Sequence, residues 1–279
     1  MHALRWITVL TLFLPTIIGA AEGDSLRVEV LLNEAMLREH GSPTFVRAFD
    51  LTPERLLLLA SSKQMYLLGW GGFVPVGHRL QRSLTCFAHT SDGLLMVVHG
   101  TKLTYINGKG HLVDVLDLAS PSMCLAPGQD KMLLYEQRGW NGNGLFAFFK
   151  GGQYKKLLES PDPIEAVAEV AGHILVATGK AIYNFSPGQE LQMLVAAPHS
   201  KRIQSLAVDP DSHLLYFSTE GGIYALRDKE VIPITESLSG LLKWRDQALF
   251  VFDPTKSSLL RLTGISETIS LQKEGARSQ

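Results

Sequence analysis

The sequence predicts an all-β protein, a six-bladed β-propeller of four-stranded blades, and three observations predict it. The first is the stretch Ile203–Ile234, which reads as four short strands. IQSLAV alternates and stops at Asp209-Pro210-Asp211-Ser212, LLYFS stops at Glu220-Gly221-Gly222, IYALR turns at Asp228-Lys229, and EVIPI closes the unit. Apolar alternation bounded by Gly, Pro, Asp and Ser is the signal of strands joined by tight turns. The second is that the unit recurs at the period of a propeller blade. Six inner strands each carry a small residue ahead of a large apolar one: Ala48, Cys86, Cys124, Ala166, Ser205 and Gly240, spaced by 38, 38, 42, 39 and 35 residues. The third is that second strands, third strands and turns keep phase with these starts, with Gly71-Gly72, Asn107-Gly108, Gly151-Gly152, Pro187-Gly188 and Asp228-Lys229 ahead of the fourth strands. Such residues tolerate positive φ or preset a turn.

Taken in order, residues 1–21 have the form of a cleaved signal peptide. Arg5 is the positive head, Trp6 to Ile18 the apolar run, and Gly19-Ala20-Ala21 the small residues before the cut. The apolar run is short of the roughly 20 residues of a membrane span. Cleavage after Ala21 removes Arg5 and takes the formal charge from −1 to −1 − 1 = −2. Residues 22–45 form an N-terminal strand and connector. Leu26–Leu32 alternates as a strand, and Asn33 caps a short helix that Gly41 ends. The strand is expected to close the ring on the last blade, beside or in place of Thr268–Leu271, and so to hide an edge. Residues 46–272 are the propeller. Residues 273–279 are a polar tail.

Composition narrows function. A chain of 279 residues that is 46% hydrophobic has ample core for one all-β domain. Near-neutral charge without a basic stripe excludes nucleic acid as a partner. No apolar segment after residue 21 is long enough to span a bilayer, so the expectation is an exported protein, periplasmic or secreted, whose partner is another protein or a cell-surface glycan.

The inner strands, notably Gln204-Ser205-Leu206-Ala207-Val208-Asp209, resemble those of NHL-repeat propellers and of the gluconolactonase and senescence-marker-protein family, over residues 46–271. The resemblance implies a central channel with ligands at one mouth. In the gluconolactonase family it also implies a divalent metal held by acidic and amide residues just before the small residue. The matching positions here are Arg47, Thr85, Met123, Glu165, Gln204 and Ser239. Only Glu165 is a carboxylate, whereas oxygen-seeking cations take several oxygen ligands. The acidic-Gly-Pro start of that family is also absent. No metal and no cofactor are therefore expected, and no catalytic residue is assigned. Arg47, Thr85, Glu165, Gln204 and Ser239 stand as channel-mouth ligand candidates, with Glu165 and Arg47 facing each other as an alternative electrostatic plug.

Other features read as follows. Cys86 and Cys124 take equivalent places in adjacent blades and are expected as small buried thiols, a disulfide being the other possibility. His89, His99 and His213 are expected as polar histidines at turns and strand ends, without the spacing of a zinc site. Gly-x-Ser-x-Gly is absent. Asn184-Phe185-Ser186 fits a glycosylation acceptor, followed by Pro187. Trp244 is expected between blades. Gln137 to Gly144 lengthens the turn between the second and third strands of blade 3 and carries Arg138, Trp140 and Asn141. Arg and Trp on an extended loop suit a recognition surface, and Trp70 is a second such aromatic. The leading expectation is a non-catalytic exported propeller that binds its partner through loops on one face. A metal-dependent lactonase or esterase-like hydrolase with an altered axial site, and a small-molecule sensor, are the alternatives.

Overall fold

A computed structural model describes residues 26–39, 46–52, 57–69, 72–137, 143–266 and 269. Strand β1 (Arg27–Leu32) and helix α1 (Glu34–Glu39) precede the ring. Blade 1 is β2 (Ala48–Leu51), β3 (Leu57–Ala60), β4 (Met65–Gly69) and β5 (Gly72–Val76). Blade 2 is β6 (Leu84–His89), β7 (Leu95–His99), β8 (Lys102–Ile106) and β9 (Leu112–Asp117). Blade 3 is β10 (Met123–Pro127), β11 (Lys131–Glu136), β12 (Gly144–Phe149) and β13 (Tyr154–Glu159). Blade 4 is β14 (Ile164–Val170), β15 (His173–Thr178), β16 (Ala181–Phe185) and β17 (Gln192–Ala196). Blade 5 is β18 (Ile203–Val208), β19 (Leu215–Thr219), β20 (Gly222–Arg227) and β21 (Glu230–Thr235). Blade 6 adds β22 (Leu241–Arg245), β23 (Ala248–Asp253) and β24 (Ser258–Thr263), with β1 as its fourth strand in the order β1-β24-β23-β22. Blades 1 to 5 are antiparallel meanders, and blade 6 is antiparallel with its outermost strand supplied from the other end of the chain.

The strands form where the hydrophobic pattern demands burial on both faces. Successive strand residues point to opposite sides, so a blade between two neighbours needs apolar residues at every position of its central strands. The second strands satisfy this: Met96-Val97-Val98 and Met132-Leu133-Leu134 are almost wholly buried. Their alternation assigns each residue to a seam. Val97 packs with Leu58, Ala60 and Leu84 between blades 1 and 2, while Val98 packs with Met123, Leu125 and Leu134 between blades 2 and 3. Leu133 turns the other way, to Val167, Ile174 and Val176 of blade 4. Among the described residues the buried apolar side chains fall into six clusters, one for each seam.

The seam between blades 6 and 1 joins the two ends of the chain. Leu32 and Leu37 of the N-terminal segment pack there with Phe49, Leu59, Phe250 and Phe252. β1 runs antiparallel to β24, with Val28 opposite Leu262 and Glu29 opposite Arg261, whose charges meet at 3.5 Å. Asn33 caps α1, its Oδ1 accepting the Met36 N–H at 3.0 Å. The N-terminal strand thus completes blade 6. Within Thr268–Leu271 only Ile269 is described, and it is buried. The proposed signal peptide and the polar tail lie outside the described residues.

One boundary differs from expectation. The sixth inner strand begins at Leu241, which pairs with Phe252, so Gly240, expected as part of that strand, precedes it. Gly240 sits just before it at φ +144°, and a Cβ there would lie 2.3 Å from the Phe252 carbonyl oxygen. The small residue of blade 6 therefore permits close backbone approach outside the ladder. The Asp228-Lys229 turn holds both residues at positive φ, 51° and 70°, as a two-residue hairpin requires.

Truncating a fully buried seam residue leaves a cavity between two rigid sheets. Phe217→Ala should destabilise the protein by about 3–5 kcal/mol, measured by urea unfolding. A loss below about 1 kcal/mol would contradict the seam as the main source of stability.

Candidate functional site

The inner strands run in parallel around the axis, so the ring has two mouths, one where these strands start and one where they end. The sequence-predicted ligand positions lie at the first. In blades 2, 4 and 5 they share one geometry: the pairing register skips Thr85, Glu165 and Gln204, each between two paired residues. A bulged residue leaves the ladder and its side chain is re-aimed. Blade 3 lacks the bulge there: Met123 pairs with Glu136 and is fully buried. Arg47 is exposed at the start of blade 1, and Gln204 and Ser239 are half-buried.

Two of the candidates at this mouth, Thr85 and Glu165, are engaged by the chain itself. Glu165 is buried, and the Arg202 guanidinium, just ahead of β18, donates to its Oε1 from Nε at 2.9 Å and from Nη2. Its ion pair is thus made with Arg202 and not, as the sequence suggested, with Arg47. Gln137 donates from Nε2 to the Glu165 carbonyl at 3.2 Å and accepts the Cys124 thiol on Oε1 at 3.5 Å. Thr85 donates to the Pro121 carbonyl at 3.0 Å, and the Cys86 thiol to that of Met123 at 3.4 Å. Both cysteines are free thiols. Burial pushes the Cys86 thiol well above its ordinary range, with Cys124 beside it adding to the effect. Tyr135 is raised likewise, first by burial and then by the same two thiols.

The extended turn of blade 3 rises from this same end, because β11 ends at Glu136, opposite Met123 where β10 begins. Arg138, Trp140 and Asn141 lie outside the described residues, but the base of their loop is described. The buried Glu136 accepts the Gly144 N–H at 3.1 Å. Glu159 accepts the Asn143 N–H at 3.0 Å, and Asn143 and Ser160 exchange two further bonds. Trp70 also lies outside the described residues. Its turn joins β4 to β5 at the other end, since Met65 of β4 pairs with Ala60 at the end where β2 starts. The two aromatic stretches connect strands at opposite faces.

The second mouth holds a cluster that sequence reasoning missed. A cavity of about 500 Å³ opens there, with Asp50, His89, Asp92, Pro127, Lys243 and Trp244 among its lining residues. Asp50 is buried in β2 between blades 6 and 2. Its Oδ2 accepts the His89 backbone N–H at 3.2 Å and lies 3.0 Å from His89 Nδ1, its Oδ1 accepts the Leu51 N–H at 3.0 Å, and Lys243 Nζ stands 3.6 Å away. Burial alone would raise this carboxyl, but Lys243 and His89 more than offset it and bring it to about 2. An ionised Asp50 holds a proton on His89 Nδ1 and leaves Nε2 as the second functional atom. His89 is therefore an oriented, half-buried ring at the end of β6 and not a free turn histidine. The signal available in the sequence was a charged residue inside an apolar inner strand, at Phe49-Asp50-Leu51 and Leu242-Lys243-Trp244. The Trp244 ring stacks on Tyr216 of blade 5 at 4.8 Å, between blades as expected.

Asp50→Asn tests the cluster. The folded-state pKa lies below the ordinary value, so this carboxylate stabilises the protein above about pH 4 and loses its contribution as pH falls toward 2. The variant should be less stable by about 2 kcal/mol at neutral pH. Urea unfolding should show the gap narrowing below about pH 4, and a gap independent of pH would contradict the assignment.

By sequence the chain matches no family model and no curated protein. By structure it is similar to propellers of several kinds. A gluconolactonase from Xanthomonas campestris superposes with a TM-score of 0.66 at 14% identity, covering 89% of this chain and 94% of that one. Virginiamycin B lyase from Staphylococcus aureus gives 0.63 at 12% identity, covering 80% and 82%. A chain of a nidogen–laminin complex gives 0.58 at 12% identity, covering 74% and 88%. Among the described residues no helix is long and apolar enough to cross a membrane. The chain is a six-bladed β-propeller of the fold that gluconolactonase and virginiamycin B lyase share.

Proposed function

We propose that this protein is an exported, non-catalytic propeller that binds another protein or a cell-surface glycan through loops on the face where the inner strands begin. The observation that carries the reading is that Thr85 and Glu165 at that mouth are engaged by the protein's own groups. Glu165, the one carboxylate among the six positions, is buried against Arg202. A cation there would have to displace a guanidinium that already neutralises its ligand, and that stands against metal-dependent hydrolysis at this end. What the same face offers instead is the loop through Arg138, Trp140 and Asn141. The base of that loop is held by Glu136 and Glu159. The nidogen–laminin neighbour is a propeller-containing complex, which accords with a binding role for this fold. Export rests on the form of residues 1–21.

Replacing both Arg138 and Trp140 with Ala should abolish capture of the partner by immobilised protein while leaving the melting temperature within about 2 °C, so that the loss is one of binding and not of folding. Retained capture would overturn the reading. Thermal unfolding with Ca²⁺, Mg²⁺, Mn²⁺ or Zn²⁺ should show no ion-dependent rise. A rise that disappears in Glu165→Gln would instead support the hydrolase, since a ligand of the native state raises the melting temperature.

A further inference from the structure

The geometry points to a second binding site at the opposite mouth, one that takes a small molecule carrying a single carboxylate, held by Lys243 and His89. The cavity there, about 500 Å³, is of the size that encloses a small ligand. Its carboxylates are already committed. Asp50 accepts from Leu51 and twice from His89. Asp92 accepts from Lys150 Nζ at 2.9 Å and from the Thr90 hydroxyl. The donors are not committed to the same degree. Lys243 Nζ, at 3.6 Å from Asp50 Oδ1, lies beyond hydrogen-bonding distance and keeps its N–H groups, with the side chain one-third exposed. His89 lines the cavity with Nδ1 engaged and Nε2 remaining. A site whose acceptors are filled and whose ammonium is unfilled selects a ligand rich in acceptors.

The charges set how many anionic groups that ligand bears. Lys243, Arg245 and the Lys150 that pairs with Asp92 bring three positive charges against the two negative charges of Asp50 and Asp92, so the local balance of +1 welcomes one negative charge and opposes several. A carboxylate can accept from Lys243 on one oxygen and, where the ring carries both protons, from His89 Nε2 on the other. Trp244, also in the lining, supplies apolar surface for the rest of the ligand. Asp50 is then a positioning residue, which orients the imidazole and anchors the ammonium without touching the ligand. The site lies across the ring from the partner face and does not depend on it.

Isothermal titration of the purified protein with acetate, pyruvate, benzoate and phenylacetate, each against its primary amide, tests the assignment. At least one carboxylate should bind, and its amide should bind at least about tenfold more weakly, a difference of about 1.4 kcal/mol. Lys243→Met should weaken the carboxylate by the same factor or more. That variant leaves Asp50 without its cation, so Asp50→Asn combined with Lys243→Met removes both charges and keeps the test valid if the single variant does not fold. Binding of a carboxylate that survives in the double variant, equal binding of acid and amide, tighter binding of citrate or phosphate, or no binding across the panel would each overturn the proposal. Arg138→Ala with Trp140→Ala should leave this titration unchanged, which separates failure here from failure of the partner-binding reading.

Discussion

Each blade is a sheet with two apolar faces, and neither can be covered except by another blade. The rest of the structure depends on that constraint. A single blade, with Leu133 on one side and Leu134 on the other, would expose both to water. Stacking solves the problem for interior blades but leaves two open faces at the ends, and only a closed ring removes them. The seam between blades 6 and 1 is therefore where the first and last parts of the chain must meet. There β1, α1 and the last blade share one cluster with blade 1. Closure also covers the edge of β24 that would otherwise offer unpaired backbone groups.

Ring closure has a consequence at the axis. The inner strands are not laddered to one another, so the seams near the channel are joined by side chains reaching to a neighbouring backbone or charge. Ser205 accepts the Leu242 N–H at 3.0 Å, Thr85 and Cys86 donate to carbonyls of Pro121 and Met123, and Ser218 donates to the Gly240 carbonyl at 2.6 Å. Asp50 to His89, Lys131 to Glu169 and Arg202 to Glu165 do the same with charge. Small and polar residues at these positions are thus part of how blades join. Polarity near a propeller axis is not by itself the mark of a ligand site.

That is why the fold was legible in the sequence and the site was not. Strand and turn signals are local. LLYFS and Asp228-Lys229 announce a strand and a hairpin within a few residues, and the four strands read in Ile203–Ile234 lie within one or two residues of β18, β19, β20 and β21. Blade 6 was misread by a local ambiguity, because Leu238-Ser239-Gly240-Leu241 has the right composition, while the close approach of Gly240 to Phe252 is a tertiary fact. The site residues depend on pairings between blades. Position counting found Glu165 but paired it with Arg47, the matching residue of another blade, when the charge that reaches it comes from Arg202 on the connection into its neighbour. Asp50 and Lys243 stand at opposite ends of the sequence and become neighbours only because blade 6 closes on blade 1.

The two mouths end with opposite chemistry for one reason. At the start of the inner strands, bulges at Thr85, Glu165 and Gln204 turn side chains out of the ladder, and connections entering the next blade bring Arg202 and Pro121 within their reach. Thr85 and Glu165 thus find partners in the chain itself. At the other end, β2 and β6 keep their side chains in register with the ladder. Asp50 is met from both sides by His89 and Lys243, and the space beyond them remains a cavity. A buried carboxylate with a pKa brought to about 2 is one whose partners over-compensate its burial. Those partners carry more hydrogen-bonding capacity than Asp50 can use, and the surplus faces the open space of the channel.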